Sequence, residues 1–258
     1  MNYLTGSHGF VGSNLLNKLK GEVICIPHQE INTFELKNIE KVVFCSAYGN
    51  MSDHTNDDLI IKANLLDLIS ILNKCVKLKF KSFVYISTSS VKLPVQTMYS
   101  RTKRASEEVL MSYVEKYHLP ITIIRPYTVC GKGDNEKHLI PVLIKAAING
   151  TEVNLCEGTH DYIDVDDLTN GILNLSEHQA QGIYELGSGI STTNEKVLEI
   201  VEFVTGKNIK VNKVPQLRKY DNPNWVCKNF KARGWGWLPI KSLVQSVQEE
   251  YEYLKKSN

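Results

Sequence analysis

A glycine-rich turn lies almost at the start of the chain, between a short apolar run and a helix-period stretch. The run Met1–Thr5 leads into Thr5-Gly6-Ser7-His8-Gly9-Phe10-Val11-Gly12, and the helical stretch Gly12–Lys20 follows. Glycines in such a turn permit a tight bend, close approach of the backbone to a pyrophosphate, and packing of helix on strand. The first turn of the helix offers free N–H groups and a positive dipole end to phosphates. The pattern therefore predicts a dinucleotide site formed by Gly6, His8, Gly9, Phe10, Val11 and Gly12.

Apolar runs and helix-period stretches alternate along most of the chain. The runs are Met1–Thr5, Glu22–Ile26, Lys41–Ser46, Ser82–Ser87 and Ile121–Arg125, and the helical stretches are Gly12–Lys20, Asp57–Cys75, Tyr99–Tyr117 and Leu139–Asn149. Near-continuous apolar strands between helices are typical of a parallel sheet covered on both faces. We therefore predict an α/β fold with a Rossmann-like doubly wound sheet. A NAD(P)-binding domain is expected over 1–130, with returning segments near 160–190, and a small interleaved substrate lobe over 131–258.

Composition excludes several other classes of protein. The 258 residues include 30 basic and 28 acidic side chains, a balance that argues against a nucleic-acid or membrane-surface protein. No apolar run approaches the roughly 18 residues of a membrane helix, and no basic and apolar leader precedes the first strand. The six cysteines are scattered without metal-site spacing, which predicts no disulfide and no metal. We expect a cytoplasmic protein.

A tyrosine and a lysine four positions apart follow the fourth apolar run. Tyr99 and Lys103 share one helix face, and the run before them ends in the hydroxyl cluster Ser87-Thr88-Ser89-Ser90. Active sites of open parallel sheets lie beyond the carboxyl ends of strands, so these groups are expected to meet in one crevice. A neighbouring lysine and an oxidised nicotinamide both favour the phenolate of tyrosine. Tyr99 could then exchange a proton with a substrate hydroxyl while the cofactor exchanges a hydride.

The end of the second apolar run bears on the choice of cofactor. An acidic residue that binds the ribose usually stands at this point, but the sequence here is Ile26-Pro27-His28-Gln29-Glu30, with Glu30 only close to the expected position. His8 and His28 could face a 2′-phosphate, and the interpretation as two solvated loop histidines carries equal weight. The pattern slightly favours NADP over NAD.

Several ordered motifs carry a family resemblance along nearly the whole chain. They are Thr5–Gly12, Cys45-Ser46-Ala47-Tyr48, Ser87-Thr88-Ser89, Tyr99 with Lys103, Arg125–Gly131, His160–Leu168, Tyr184–Gly189 and Trp235–Pro239. With these motifs the chain resembles the extended short-chain dehydrogenase/reductase superfamily, in particular its NAD(P)-dependent nucleotide-sugar epimerases, dehydratases and 4-ketoreductases.

The resemblance implies roles for individual residues. Thr88, Tyr99 and Lys103 match the catalytic set, and Asn64 matches a helix asparagine that braces the active-site strand. Further cofactor contacts are implied at Ala47, Tyr48, Pro126 and Thr128, beside the glycine turn and His28, and substrate contacts at Thr88, Ser89 and Arg218. The implied substrate is a nucleotide sugar. A homodimer formed through the helices at Asp57–Cys75 and Tyr99–Tyr117 is also implied.

Departures from the family pattern reduce the number of reactions that are expected of this chain. Dehydratases of the family have an acid pair directly after the catalytic threonine, whereas Ser89 and Ser90 stand here, which disfavours dehydration. Tyr99 follows Thr88 by only eleven positions, a much shorter segment than in most relatives, and His160 replaces an arginine. The stretch from His28 to Lys41 is too short for the usual third strand and its helix. In this shortened connection the chain resembles the dTDP-4-dehydrorhamnose reductase branch of the family.

Three hypotheses therefore stand. The first is net 4-keto reduction of a nucleotide-linked sugar by hydride transfer, with Thr88, Tyr99 and Lys103. The second is a nucleotide-sugar 4-epimerase that retains NAD and uses the same three residues. The third is a non-catalytic NAD(P)-binding or sensing protein, which retention of both Tyr99 and Lys103 disfavours.

Overall fold

The buried apolar runs form strands in the computed structural model, which describes residues 1–51, 53–215 and 225–257. The strands are β1 (Asn2–Thr5), β2 (Val23–Ile26), β3 (Lys41–Phe44), β4 (Ser82–Ile86), β5 (Ile121–Pro126), β6 (Thr128–Cys130), β7 (Val153–Cys156), β8 (Thr159–Asp164), β9 (Gly182–Leu186), β10 (Ser191–Thr193) and β11 (Val211–Val214). The first five coincide with the predicted runs to within one or two residues.

Nine helices connect the strands in the described part of the chain. They are α1 (Phe10–Leu16), α2 (Asp57–Ile61), α3 (Asp67–Cys75), α4 (Met98–Tyr117), α5 (Leu139–Asn149), α6 (Val165–Glu177), α7 (Asn194–Thr205), α8 (Phe230–Arg233) and α9 (Leu243–Ser257). The predicted helix Asp57–Cys75 is interrupted, because one π-helical turn at Lys62–Leu66 joins α2 to α3. Short 3-10 turns follow β2 at His28–Glu30 and β4 at Ser89–Lys92.

The main sheet has six strands in the order β2-β1-β3-β4-β5-β9, and β1 to β5 pair in parallel. Thr5 is in register with both Ile26 and Phe44, so the carboxyl ends of three neighbouring strands coincide. Apolar side chains of β3 and β4, such as Phe44 and Tyr85, pack with α3 and α4 in a fully buried core. The predicted Rossmann-like α/β fold is confirmed.

The connection from β2 to β3 contains no strand, in agreement with the loss of an element predicted from its length. A single ammonium group organises the loop that remains. Lys74 Nζ donates hydrogen bonds to the carbonyl oxygens of Ile31, Asn32 and Phe34 at 2.6, 3.0 and 2.9 Å. Three otherwise unpaired carbonyls are thereby satisfied, and Ile31 is completely buried beneath them.

The described parts of the chain divide into two compact units. The first contains Met1–Pro126, Thr169–Glu185 and Phe230–Trp237, and the second contains Tyr127–Leu168, Leu186–Asn229 and Leu238–Asn258. The second unit holds a three-stranded sheet in the order β10-β8-β6, the β11-β7 pair, and an apolar core between α5, α7 and α9. None of the helices in the described ranges has the length and apolar character needed to cross a membrane.

Glu250 on α9 is a buried acid in the second unit. Its Oε2 accepts a hydrogen bond from the Gly133 N–H at 2.7 Å, and the side chain has no exposed area. Burial raises the pKa of Glu250 to about 7, and the nearby Asp134 carboxylate adds to the increase. Below about pH 7 the protonated carboxyl is therefore the favoured form of Glu250.

We expect Glu250 to make the free energy of unfolding fall as pH rises from about 4.5 to 7. The folded state binds more protons than the unfolded state in this window, because the pKa is raised on folding. Glu250→Gln removes the ionisation and should stabilise the protein at pH 8 by at most about 3 kcal/mol. Urea unfolding at several pH values measures the effect, with the exposed Glu252→Gln as the control. An unchanged pH slope in Glu250→Gln would contradict this account.

Candidate active site

The glycine turn packs directly against the residue that follows β3. Gly6 has φ of +70°, and a Cβ built there would lie 2.8 Å from the Cys45 carbonyl carbon. A Cβ on Gly12 would lie 2.0 Å from the Gly6 carbonyl oxygen, so neither position accepts a side chain. Gly9, in contrast, is exposed and precedes α1 without a side-chain cap on the helix N-terminus. The turn therefore presents bare backbone at the end of β1.

The Thr5 hydroxyl holds the ends of β1 and β3 together. Its Oγ1 accepts hydrogen bonds from the backbone N–H groups of Cys45 and Ser46, both at 3.1 Å, and Thr5 is completely buried. These two N–H groups lie beyond the last paired residue of β3, and the hydroxyl replaces the strand partner that they lack. The glycine turn and the segment Cys45–Tyr48 are consequently neighbours.

Asn64 braces this segment from the π-helical turn. Its side chain exchanges two hydrogen bonds with the backbone of Tyr48, each 2.9 Å, and donates a third to Thr102 Oγ1 at 2.9 Å. The Ser106 hydroxyl donates to the Asn64 carbonyl at 2.7 Å, a group that the π-helical turn leaves available. The side chain implied as a brace by the family resemblance therefore links the β3 end to α4.

Thr88 follows β4 and carries a hydroxyl at the mouth of the crevice. It begins the 3-10 turn Ser89–Lys92, and its Oγ1 lies 3.0 Å from the Ser90 hydroxyl oxygen. The Thr88 side chain is also positioned to hydrogen-bond the Tyr99 phenol. Ser89 is only 2% exposed, so Ser90 rather than Ser89 shares the surface with Thr88.

Tyr99 lies in the first turn of α4. Burial raises the pKa of Tyr99 to about 12, the neighbouring Cys45 adds to the increase, and the hydrogen bond with Thr88 opposes it. The sequence predicts a phenolate favoured by Lys103 and by an oxidised nicotinamide, whereas burial of Tyr99 acts in the opposite direction and favours the neutral phenol. Loss of hydration dominates in the structure, and the phenol is neutral at physiological pH.

Lys103 lies one turn further along α4 and is completely buried. Its Nζ donates a 2.6 Å hydrogen bond to the Ile86 carbonyl and stands 4.1 Å from the centre of the Tyr85 ring. Burial lowers the pKa of Lys103 to about 7, although Cys45 and Glu107 both favour the charged form. The amine can therefore gain or lose a proton near neutral pH.

A buried ion pair supports the strand that carries Thr88. Arg125 at the end of β5 donates from Nε and Nη2 to the two carboxylate oxygens of Glu107, at 2.9 and 2.5 Å. The Ser87 hydroxyl donates to Glu107 Oε1 at 2.5 Å. Glu107 is 3% exposed, and its charge is compensated by the bidentate guanidinium. The group therefore ties α4 to the ends of β4 and β5.

His28 stands where the second strand ends, beside the glycine turn. Its Nδ1 lies 3.2 Å from Asp67 Oδ2, and Lys62 Nζ contacts the two oxygens of the same carboxylate at 2.8 and 3.1 Å. The Asp67 side chain is 1% exposed, whereas that of His28 is 46% exposed. The buried carboxylate at this corner is thus bonded to the Lys62 ammonium and to the His28 imidazole.

The remaining predicted residues fall into three groups. His8 and Ala47 are exposed in the glycine turn and after β3, and Phe10 and Val11 open α1. Pro126 ends β5 in the first unit, whereas Thr128 begins β6 in the second. Arg218 lies outside the described residues.

Three residues of the site were not predicted as site residues from the sequence: Glu107, Ser90 and Asp67. Glu107 lies four positions after Lys103 on α4, so helical spacing could have indicated it. Ser90 stood in the same hydroxyl cluster as Ser89. Asp67 lies five positions after Lys62, but its second partner, His28, meets it only across the fold.

The glycine turn, the neutral phenol and the buried lysine at adjacent strand ends are typical of a nucleotide-dependent oxidoreductase. Comparison with known proteins agrees: the chain belongs to the NAD dependent epimerase/dehydratase family, whose model matches residues 3–187. The resemblance to nucleotide-sugar enzymes of the extended short-chain dehydrogenase/reductase superfamily is confirmed.

Individual relatives differ in activity and bound cofactor. A UDP-glucose 4-epimerase of Halalkalibacterium halodurans is 24% identical, over 86% of this chain and 78% of its own. The structure of Thermus thermophilus UDP-glucose 4-epimerase with NAD covers 100% of both chains, with a TM-score of 0.87 and 20% identity. RMD from Pseudomonas aeruginosa, solved with NADPH, covers 100% of this chain and 99% of its own, with a TM-score of 0.86 and 16% identity.

We expect the Glu107–Arg125 pair to be essential for stability. Glu107→Gln leaves the Arg125 charge without its bidentate partner and should lower the free energy of unfolding by about 3 kcal/mol or more. Glu108→Gln, at the adjacent exposed position, should change it by less than about 0.5 kcal/mol. Chemical denaturation of the two variants measures the difference. Equal stabilities would show that the buried pair contributes nothing.

Proposed function

We propose that the protein is a NAD(P)-dependent oxidoreductase that reduces the 4-keto group of a nucleotide-linked sugar. The arrangement of Tyr99, Thr88 and Lys103 beside the glycine turn carries this proposal. A phenol with a pKa of about 12 is a proton donor at neutral pH, and reduction of a ketone requires a donor. The trimmed β2–β3 connection and the absence of an acid after Thr88 support the same reaction.

Each of the three residues has a distinct role in the proposed reaction. When bound, the reduced nicotinamide supplies the hydride that C4 of the sugar receives. Thr88 donates a hydrogen bond to the ketone oxygen, and Tyr99 transfers its phenolic proton to that oxygen, which becomes a hydroxyl. Solvent then reprotonates the Tyr99 phenolate. Lys103 keeps one donor on the Ile86 carbonyl, and its remaining N–H donors would hold the ribose hydroxyls of a bound cofactor.

The glycine turn and the residues around it are suited to hold the cofactor. Bare backbone at Gly6, Gly9 and Gly12 leaves room for a pyrophosphate, and the other contacts proposed from the family pattern are His8, Phe10, Val11, His28, Ala47, Tyr48, Tyr99, Lys103, Pro126 and Thr128. The Asp67 carboxylate is already bonded to Lys62 and His28, so it is poorly placed to accept ribose hydroxyls. We therefore retain the slight preference for NADP over NAD.

The second unit is proposed to bind most of the nucleotide sugar, with Thr88, Ser89 and Arg218 as further contacts. The first unit is proposed to serve as the NAD(P)-binding domain. A homodimer through the helices over residues 57–75 and 99–117 is proposed as well. Leu59 and Leu66 on the first of these segments are 44% and 53% exposed, which supports an apolar contact there.

The second candidate function is 4-epimerisation with retained NAD. It is favoured by the UDP-glucose 4-epimerases among the relatives, and it uses the same tyrosine as base and then as acid. A non-catalytic NAD(P)-binding protein is the third candidate, and the intact Thr88, Tyr99 and Lys103 set weighs against it.

Tyr99→Phe should lower turnover by roughly a hundredfold or more while cofactor affinity stays within a few-fold. Only the hydroxyl is lost, so the aromatic ring keeps its place in the first turn of α4. Tyr113→Phe is the matched control, because it removes a phenol from the same helix that donates only to Asn73. Steady-state kinetics with cofactor titrations measure both variants. Normal turnover in Tyr99→Phe would exclude the mechanism.

Cofactor content and turnover of the purified protein distinguish the candidate functions. For a reductase we expect little bound cofactor, and consumption of added NADPH, and more slowly NADH, with a 4-keto nucleotide sugar. Tightly bound NAD with interconversion of two C4-epimeric sugars would establish the epimerase instead. Bound cofactor without turnover of either kind, using Tyr99→Phe as the inactive reference, would favour the non-catalytic protein.

A further inference from the structure

A cavity of about 600 Å³ lies in the first unit, outside the crevice of Tyr99 and Lys103. One wall is the connection from β4 to α4, including Val91, Leu93 and Pro94, and the other is the side of α4 that carries Arg101 and Arg104. Volumes of this size are typical of small-molecule sites. The cavity is therefore large enough for a ligand of several atoms.

The cavity lining has an excess of positive charge. Lys92, Arg101, Arg104 and Arg125 face Glu107 and Glu108, four cations against two carboxylates. Arg125 is neutralised by Glu107, and Lys92 is paired with Glu185 at 2.6 Å. Within the described part of the chain, Arg101 and Arg104 have no ion-pair partner, and Glu108 is the carboxylate of the lining that is not already paired with Arg125. Two guanidinium groups are thus available to a bound anion.

On α4, the side that carries Arg101 and Arg104 is different from the side that carries Tyr99 and Lys103. Successive helix residues turn by about 100°, which puts Arg104 and Glu108 on a face well away from Tyr99 and Lys103. Lys103 is completely buried, whereas Arg101 and Arg104 are exposed. The arginines therefore have no part in the hydride-transfer site.

The walls of the cavity are preformed. Gln96 Nε2 donates to the carbonyl oxygens of Val91 and Leu93 at 2.8 and 3.3 Å, which closes the connecting loop on itself. The Thr97 hydroxyl accepts from the Ser100 N–H at 3.3 Å and caps α4 immediately before Arg101. Ordered walls lower the entropic cost of binding a ligand.

We propose that this cavity binds a small doubly charged oxyanion, a phosphate or a compact dicarboxylate. Two arginines three positions apart on one helix can each present a planar pair of N–H donors, the geometry that carboxylate and phosphate oxygens accept. The buried Glu107–Arg125 pair supplies a polar floor without adding net charge. This inference does not depend on the proposed redox function, because none of its donors belongs to that site.

The test is a titration of the protein with inorganic phosphate and, separately, with malonate, at constant ionic strength. Melting temperature and calorimetry report binding without any assay of activity. The double variant Arg101→Gln/Arg104→Gln should weaken affinity at least tenfold, and Glu108→Gln should strengthen it by roughly threefold because a repulsive charge is removed. Lys79→Gln/Lys116→Gln, two exposed lysines outside the cavity, is the control of equal charge change.

Saturable binding that the double variant loses and the control retains would support the site. The tighter of the two anions would identify its chemical class. The proposal is overturned if neither anion binds saturably, or if the double variant binds as well as the control. The opposite effect expected for Glu108→Gln keeps the test decisive even if the double variant folds poorly.

Discussion

The hydrogen bonds that Thr5 accepts from Cys45 and Ser46 hold the ends of β1 and β3 together, and the candidate site is built on these strand ends. A buried hydroxyl satisfies two backbone N–H groups at the point where β3 leaves the sheet, and this brings the glycine turn against Cys45. The resulting contact leaves no space for a Cβ at Gly6. Because Cys45 is close enough to influence the pKa values of both Tyr99 and Lys103, the same contact brings the glycine turn near these two side chains.

Burial determines the protonation states of Tyr99 and Lys103. It keeps the phenol of Tyr99 protonated, and it makes the buried Lys103 only marginally charged near neutral pH. Both shifts have one cause, the loss of hydration around the charged form. Glu107 favours the charged form of Lys103, but both of its oxygens are bonded to Arg125, and it offsets only part of the effect of burial. At neutral pH the Tyr99 phenol, and in part the Lys103 ammonium, therefore carry protons that they can donate.

Two short connections, one between β2 and β3 and the other between β4 and α4, shape the surface of the first unit. Between β2 and β3, the Lys74 ammonium satisfies loop carbonyls that a further strand would otherwise pair. Between β4 and α4, only eleven positions separate Thr88 from Tyr99, and the loop closes on Gln96. The first shortening keeps the sheet edge at β2. The second leaves the cationic cavity open beside α4.

The sequence by itself determined the order of strands and helices, the glycine turn and the spacing of Tyr99 and Lys103, because these depend on local periodicity and on residues close in the chain. It did not determine the interruption of the second helix by a π-helical turn, the Asp67 cluster at His28, or the protonation of Tyr99. Those features arise from contacts between residues far apart in sequence and from the removal of water around them. Loss of hydration exists only in the folded molecule, and for that reason only the tertiary structure decided how far the pKa values of Tyr99 and Lys103 move from their ordinary values.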